Sequence, residues 1–180
     1  MKLRYLLLVV CCLFLSGYAW SQELKKEDFL PKAVKAFDRL TLGYSEARIA
    51  NEIKNKNVRW ITNLMSSFAL FYKATHQERY LNMSEQVFKS AILAWRKDEK
   101  LMRGRDDFFA LQNLTLTYEI LRDNGRLNNE ADDVMVRFAD LHFEPGFVID
   151  NNQGQERALG FVRMYNLFPE APNAPQWKKY

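Results

Sequence analysis

The side chains best suited to bind a carboxylate stand close together between residues 151 and 157. Asn151, Asn152 and Gln153 carry side-chain amides, which donate hydrogen bonds to a carboxylate without depending on pH. Arg157, one helical turn further on, would add a bidentate contact. An amide-rich segment also caps the helix that follows it, because Asn side chains accept hydrogen bonds from free backbone N–H groups. The segment therefore predicts either an anion-binding loop or a helix cap.

A second polar cluster and one tryptophan offer further side chains that bind ligands. Arg103 and Arg105 precede a predicted helix and would reach an anion at its rim, or else lie in a solvated loop. Asp106 and Asp107 are natural caps for that helix. Trp60 would stack on the C–H face of a pyranose ring or, alternatively, fill the core.

Other common catalytic sites are not indicated by the sequence. His76 and His142 are isolated, and we expect both to be exposed at a turn or a helix end. No zinc-ligand spacing, nucleophile elbow, Walker loop or dinucleotide fingerprint occurs in the chain. We therefore expect neither a metal nor a cofactor.

The N-terminal residues have the layout of a secretory signal peptide. Lys2 and Arg4 precede an apolar run over residues 5–15, and Ala19 and Ser21 offer small side chains to a peptidase before Gln22. A signal anchor and a lipoprotein signal are the alternatives, although both cysteines lie in the middle of the apolar run. We expect residues 1–21 to be removed and the mature protein to be secreted or periplasmic, with no membrane segment. Removal takes the formal charge from +4 to +4 − 2 = +2, which does not favour nucleic acid as a partner.

The remaining residues, 22–180, predict one all-α domain. Of the 180 residues 48% are hydrophobic and only 7 + 5 = 12 are glycine or proline, a balance typical of a folded chain. Apolar residues recur at steps of three and four, without strand-like alternation. We predict a first helix over residues 31–44, a polar separator over residues 51–57, and two helical hairpins with turns near residues 75–76 and 123–125. A non-helical stretch reaches Gly154, and a last helix ends before Pro169.

A weak internal repeat links these hairpins. Tyr72 and Tyr118 are 46 residues apart, and Tyr118 and Tyr165 are 47 apart, each late in the first helix of a pair. Such a period is typical of long helical pairs, as in α/α toroids. The third pair lacks its second helix by this count, which predicts an apolar face that a protein partner would cover.

Two segments resemble a family of carbohydrate enzymes. Residues 69–81, with the Ala-Leu-Phe-Tyr-Lys-Ala-Thr sequence, and residues 150–160, continuing through 167–174 to Trp177, are similar to the N-terminal α/α toroid of heparinase II/III-type and alginate-lyase-type polysaccharide lyases. The resemblance covers residues 58–177. It implies antiparallel helical hairpins that form part of an (α/α) toroid, and it implies that the chain is the front piece of such an enzyme.

The resemblance also implies a reaction. Asn151 or Asn152 would neutralise a uronate carboxylate so that the adjacent proton can be removed by β-elimination, and the base and acid would lie in a downstream or partner segment. Gln153, Arg157, Arg103, Arg105 and Trp60 would contact the anionic polysaccharide. The alternative is an exported, non-catalytic helical module that binds a protein partner.

Overall fold

The described residues are entirely helical and irregular, which confirms the predicted all-α class. The computed structural model describes residues 26–104, 109–143 and 152–179 and shows no strand within them. Short 3-10 helices cover Glu99–Met102 and Asn129–Ala131. The α-helices are α1 (Lys26–Thr41), α2 (Glu46–Lys54), α3 (Val58–Thr75), α4 (Glu78–Lys97), α5 (Ala110–Asp123), α6 (Asp132–His142), α7 (Asn152–Leu167) and α8 (Ala174–Trp177).

Helix α1 belongs to a different compact unit from the other helices, and the boundary falls after Tyr44. The helix begins earlier than the sequence predicted, so Pro31 lies inside it rather than in its first turn. Phe37 is buried, whereas Leu42, directly after the helix, is exposed.

The second unit begins with a helix that the sequence analysis missed. Residues 51–57 were predicted as a polar separator, but residues 51–54 are the second half of α2. Ile49 and Ile53 are one turn apart and both are buried. This otherwise polar helix therefore packs against the protein through a single narrow apolar stripe. The Ser45 side chain caps the helix by accepting a hydrogen bond of 3.3 Å from the Arg48 backbone N–H.

Two antiparallel hairpins follow, as predicted. The first joins α3 to α4 through His76, which adopts a left-handed conformation with a φ of 56°. The second hairpin joins α5 to α6 through a turn that contains Gly125, whose φ is 68°. In the first hairpin the buried Ser84 hydroxyl donates a 2.9 Å hydrogen bond to the Met65 carbonyl. A side chain of α4 is thereby bonded to the backbone of α3.

The first helices of successive pairs lie side by side and run in the same direction. Helix α3 packs on α5, and α5 packs on α7. Late in these helices the Tyr72 hydroxyl is 2.7 Å from Asn124 Oδ1, and the Tyr118 ring centroid is 5.3 Å from that of Phe168. Helices α4 and α6 pack against this row and against each other, with the rings of Trp95 and Phe138 in contact. We call α3, α5 and α7 the central row.

Helix α7 begins earlier than predicted and approaches α5 closely. Asn152, Gln153 and Gly154 are helical, so the prediction of a non-helical stretch through Gly154 is wrong. At Gly160 an added Cβ would lie 2.9 Å from Leu111 Cγ and 3.0 Å from the Gln112 backbone nitrogen. Only glycine therefore fits this contact without displacing α5.

The last helix, α8, has a single turn that packs on α7 and buries Trp177. Asp140 of α6 lies beside this turn. Burial raises the pKa of its carboxyl group, and the nearby polar groups of Asn173 and Trp177 offset part of that rise.

We expect Gly160→Ala to destabilise the protein. An overpacked contact costs about 2 kcal/mol, while alanine gains roughly 1 kcal/mol over glycine in helix propensity, so the net loss should be about 1 kcal/mol. Urea unfolding of the variant and the wild type measures this difference. A gain in stability would show that helix propensity dominates and that α5 and α7 are free to separate.

Candidate functional site

The central row brings its three N-terminal ends together. Phe109 directly precedes α5, and the guanidinium carbon of Arg59 on α3 lies 4.6 Å from its ring centroid. The starts of α3 and α5 therefore lie at the same end of the row. Gly160 of α7 is level with Leu111 and Gln112 of α5, so the start of α7 lies at the same end. We call this end of the row, where α3, α5 and α7 begin, the N-terminal rim.

Four side chains form a paired arrangement between α3 and α5 at this rim. Arg59 and Asn63 are one turn apart on α3, and Phe109 and Asn113 have the same spacing on the facing chain segment. The arginine stacks on the phenylalanine, and Asn113 Nδ2 donates a 2.6 Å hydrogen bond to Asn63 Oδ1. The rim therefore combines a cation, an aromatic ring and two amides, the side-chain types that bind an anionic sugar.

Arg103 joins the rim from the segment before α5. Its guanidinium donates a hydrogen bond to the Leu141 carbonyl at the end of α6, and the residue is exposed. The next residue, Gly104, packs against the turn before α3, where an added Cβ would lie 2.0 Å from the Lys56 carbonyl oxygen. Through these two contacts the segment before α5 packs against both neighbouring hairpins. They place a second arginine, Arg103, at the N-terminal rim.

Helix α7 contributes Arg157 and Glu156, and both side chains are partly buried. Arg157 is three residues before Gly160 and hence on the side of α7 that approaches α5. Burial raises the pKa of the Glu156 carboxyl group above its ordinary value. The N-terminal rim thus carries three arginines and an acid that resists ionisation.

Trp60 lies at the same end but toward α2. It is partly buried, and the Arg48 guanidinium carbon is 5.6 Å from its ring centroid. The adjacent residue Arg59 instead contacts Phe109, so the two neighbours on α3 point to different helices. Trp60 is therefore placed beside the four-residue arrangement rather than within it.

The remaining predicted site residues fall at the edge of what the structure describes. Asn151 and Arg105, together with Asp106 and Asp107, lie outside the described residues. Asn152 and Gln153 are the first residues of α7, so they belong to a helix and not to the predicted loop. The anion-binding and helix-capping roles of residues 151–157 both stay predictions.

The two histidines differ from each other in burial. His76 is exposed at the end of α3, as expected. His142 is only 6% exposed, and its ring stacks on Phe138 with centroids 4.2 Å apart, so the expectation that it is exposed is wrong. The Phe138 carbonyl, 2.8 Å from His142 Nδ1, provides a hydrogen-bond partner inside the protein. Within the described residues, no group of three or more His, Cys, Asp or Glu could hold a metal ion.

The opposite end of the row is built differently. Arg126 is paired there with Glu78 and Glu85. Burial, together with a hydrogen bond to Asp132, raises the pKa of the Tyr118 hydroxyl. Arg126 thus has two carboxylate partners within the protein.

Comparison with known proteins does not assign the chain to a family. No protein-family model, curated protein or solved structure matches it. None of the described helices has the length and apolar character needed to cross a membrane. The function must therefore be argued from the residues themselves.

Sequence reasoning did not select Asn63 and Asn113. The signal available was their separation of 50 residues, close to the repeat of 46 and 47 residues seen for the tyrosines. This spacing predicts that Asn63 and Asn113 occupy similar positions along the first helices of neighbouring pairs. It does not predict that their side chains face each other.

We expect Glu156→Gln to stabilise the protein at neutral pH. Since burial raises the folded-state pKa above an ordinary value near 4.5, the folded wild type binds more protons than the unfolded chain as the pH rises through this range. The wild type therefore loses stability with rising pH until it passes the folded pKa, and the neutral glutamine does not. Urea unfolding at several pH values should show equal stabilities in acid and a more stable variant at neutral pH.

The exposed Glu170 provides a matched control for this substitution. Glu170→Gln removes the same charge at an exposed position and is unfolded under the same conditions. If Glu156→Gln has the same profile as the wild type, the environment of Glu156 does not disfavour its charge.

Proposed function

We propose that the N-terminal rim binds a uronate-containing, anionic polysaccharide, and that the chain is the toroid part of an exported, polysaccharide lyase-like protein. The observation that carries this proposal is the arrangement of Arg59 and Asn63 opposite Phe109 and Asn113. Guanidinium and amide groups bind carboxylates, and aromatic rings pack on the C–H faces of sugars. Both types of group occur here within one helical turn.

The distribution of arginine supports an extended anionic ligand. Arg59, Arg103 and Arg157 come from three separate segments and lie at the same end of the row. A polyuronate carries a carboxylate on each sugar, so several arginines along one rim would contact successive units. Such binding weakens as salt screens the charges, whereas binding of a neutral glycan does not.

The proposed chemistry is β-elimination. A base removes the proton next to the uronate carboxylate, the electron pair forms a carbon–carbon double bond, and the bond to the 4-linked oxygen breaks as that oxygen takes up a proton. Neutralising the carboxylate makes the first proton acidic. By resemblance to the lyases, Asn151 or Asn152 performs this step with Gln153 nearby, and the base and acid come from a downstream or partner segment.

The location and architecture belong to the same proposal. A signal peptide over residues 1–21 would deliver the protein outside the cytoplasm, where polysaccharides of this kind occur. The side-by-side row of α3, α5 and α7, with second helices packed against it, is compatible with an inner wall of an α/α toroid.

A second candidate function is a non-catalytic module that binds a protein partner. It is favoured by Leu159 and Val162, which are 42% and 39% exposed and lie three residues apart on one face of α7. Phe168 is not part of this exposed face, because its ring packs against Tyr118.

We expect Arg59→Gln to weaken binding of a polygalacturonate oligosaccharide by roughly tenfold, since a hydrogen bond to a charged group contributes about 1.5 kcal/mol or more. Isothermal titration calorimetry at low and high salt measures the change. Arg79→Gln is the matched control: Arg79 stacks on Tyr80 at the same 4.6 Å distance but begins α4, at the opposite end of the row. Equal losses in both variants, or no binding by the wild type, would contradict the proposal.

The module function has its own test. The double substitution Leu159→Glu and Val162→Glu should abolish capture of a protein partner from the native host while leaving the helical circular dichroism spectrum intact. Leu93→Glu, at a 54% exposed leucine on α4, is the control and should retain the partner. A partner retained by all three proteins would rule out the face of α7 as its binding site.

A further inference from the structure

The amides of the N-terminal rim form a hydrogen-bond chain that runs from the core to the surface. Ser66 is buried, Asn113 is partly buried and Asn63 is exposed. The Ser66 hydroxyl lies 3.2 Å from Asn113 Oδ1, and Asn113 Nδ2 lies 2.6 Å from Asn63 Oδ1. The chain thus crosses from α3 to α5 and returns to α3.

The direction of this chain is set by a backbone carbonyl. The Phe109 carbonyl oxygen, which can only accept, is 3.4 Å from the Asn113 side-chain nitrogen. Reversing the Asn113 amide would place two acceptor oxygens against each other at this contact. Asn113 therefore offers its nitrogen to Asn63, and the Asn63 atom that meets it must be the carbonyl oxygen.

The outer end of the chain is consequently a hydrogen-bond donor. With its oxygen occupied by Asn113, Asn63 presents its NH2 group at the exposed end of the chain. Hydrogen bonds in a chain polarise one another, which strengthens the terminal donor. Arg59 lies one turn away on the same face of α3 and adds positive charge. A group that only accepts hydrogen bonds and carries negative charge fits this position better than a sugar hydroxyl.

We infer that Asn63 is a carboxylate-binding residue of the N-terminal rim, whose oriented side-chain amide donates to a uronate carboxylate of the bound polysaccharide. This inference rests on the proposed function, and it assigns a ligand contact to a residue separate from Asn151 and Asn152. Asn63 is a binding residue here, because nothing places it at a reacting atom.

The test is the substitution Asn63→Asp. The aspartate oxygen can still accept from Asn113, so the amide chain and the packing of α3 on α5 are retained, but the donor is lost and a negative charge is added. We expect affinity for a galacturonate oligosaccharide to fall at least tenfold. Asn82→Asp adds the same charge at an exposed position on α4 and should bind like the wild type.

Two further ligands identify the group that Asn63 recognises. The methyl-esterified oligosaccharide keeps the sugar backbone but has no carboxylate, and it should bind weakly and equally to the wild type and Asn63→Asp. A sulfated glucan offers a different anion on a neutral backbone. If Asn63→Asp lowers affinity for the sulfated glucan as strongly as for the galacturonate, the site recognises anions in general and the assignment to a carboxylate is wrong.

The failure of this inference differs from the failure of the proposed function. If the wild type binds the galacturonate and Arg59→Gln weakens it, but Asn63→Asp binds like Asn82→Asp, only the role of Asn63 is overturned. If the wild type does not bind the galacturonate, both are overturned. A shift of the Asn63 side-chain NH2 resonances on titration with the galacturonate, absent with its methyl ester, supports the contact directly in the unmodified protein.

Discussion

The close contact between α5 and α7 at Gly160 is the constraint on which the arrangement of the rim depends. Because no Cβ stands between the two helices, the backbone of α7 approaches Leu111 and Gln112 and sets the height of α7 relative to α5. The stacking of Arg59 on Phe109 shows that α3 is level with the start of α5 in the same way. Side chains that are far apart in sequence thereby meet at one end of the row.

The two ends of the row use charge in different ways. At the end where α3, α5 and α7 finish, Arg126 pairs with Glu78 and Glu85 of α4, and these pairs join the two hairpins. At the N-terminal rim, Arg59 stacks on the Phe109 ring and Arg103 donates to a backbone carbonyl. The arginines that α3, α7 and the segment before α5 bring to this end are the physical basis for proposing an anionic ligand there.

Sequence patterns predicted the long helices well and the short or buried features poorly. The hairpins α3–α4 and α5–α6 have broad apolar faces over many turns, so their spacing alone identified them. Helix α2 was missed because only Ile49 and Ile53 mark it among polar residues. His142 was expected to be exposed at a helix end, yet stacking on Phe138 and the nearby Phe138 carbonyl make its burial favourable.

The sequence by itself determined the all-α class, the two central hairpins and the presence of amide and arginine side chains suited to a carboxylate. These properties follow from local periodicity and residue chemistry. Only the tertiary structure decided which of those side chains face each other: it joined Asn63 to Asn113 across two helices and turned Trp60 toward α2. The physical reason is that the rotation of a helix about its axis is set by packing with its neighbours, which the sequence of one helix does not specify.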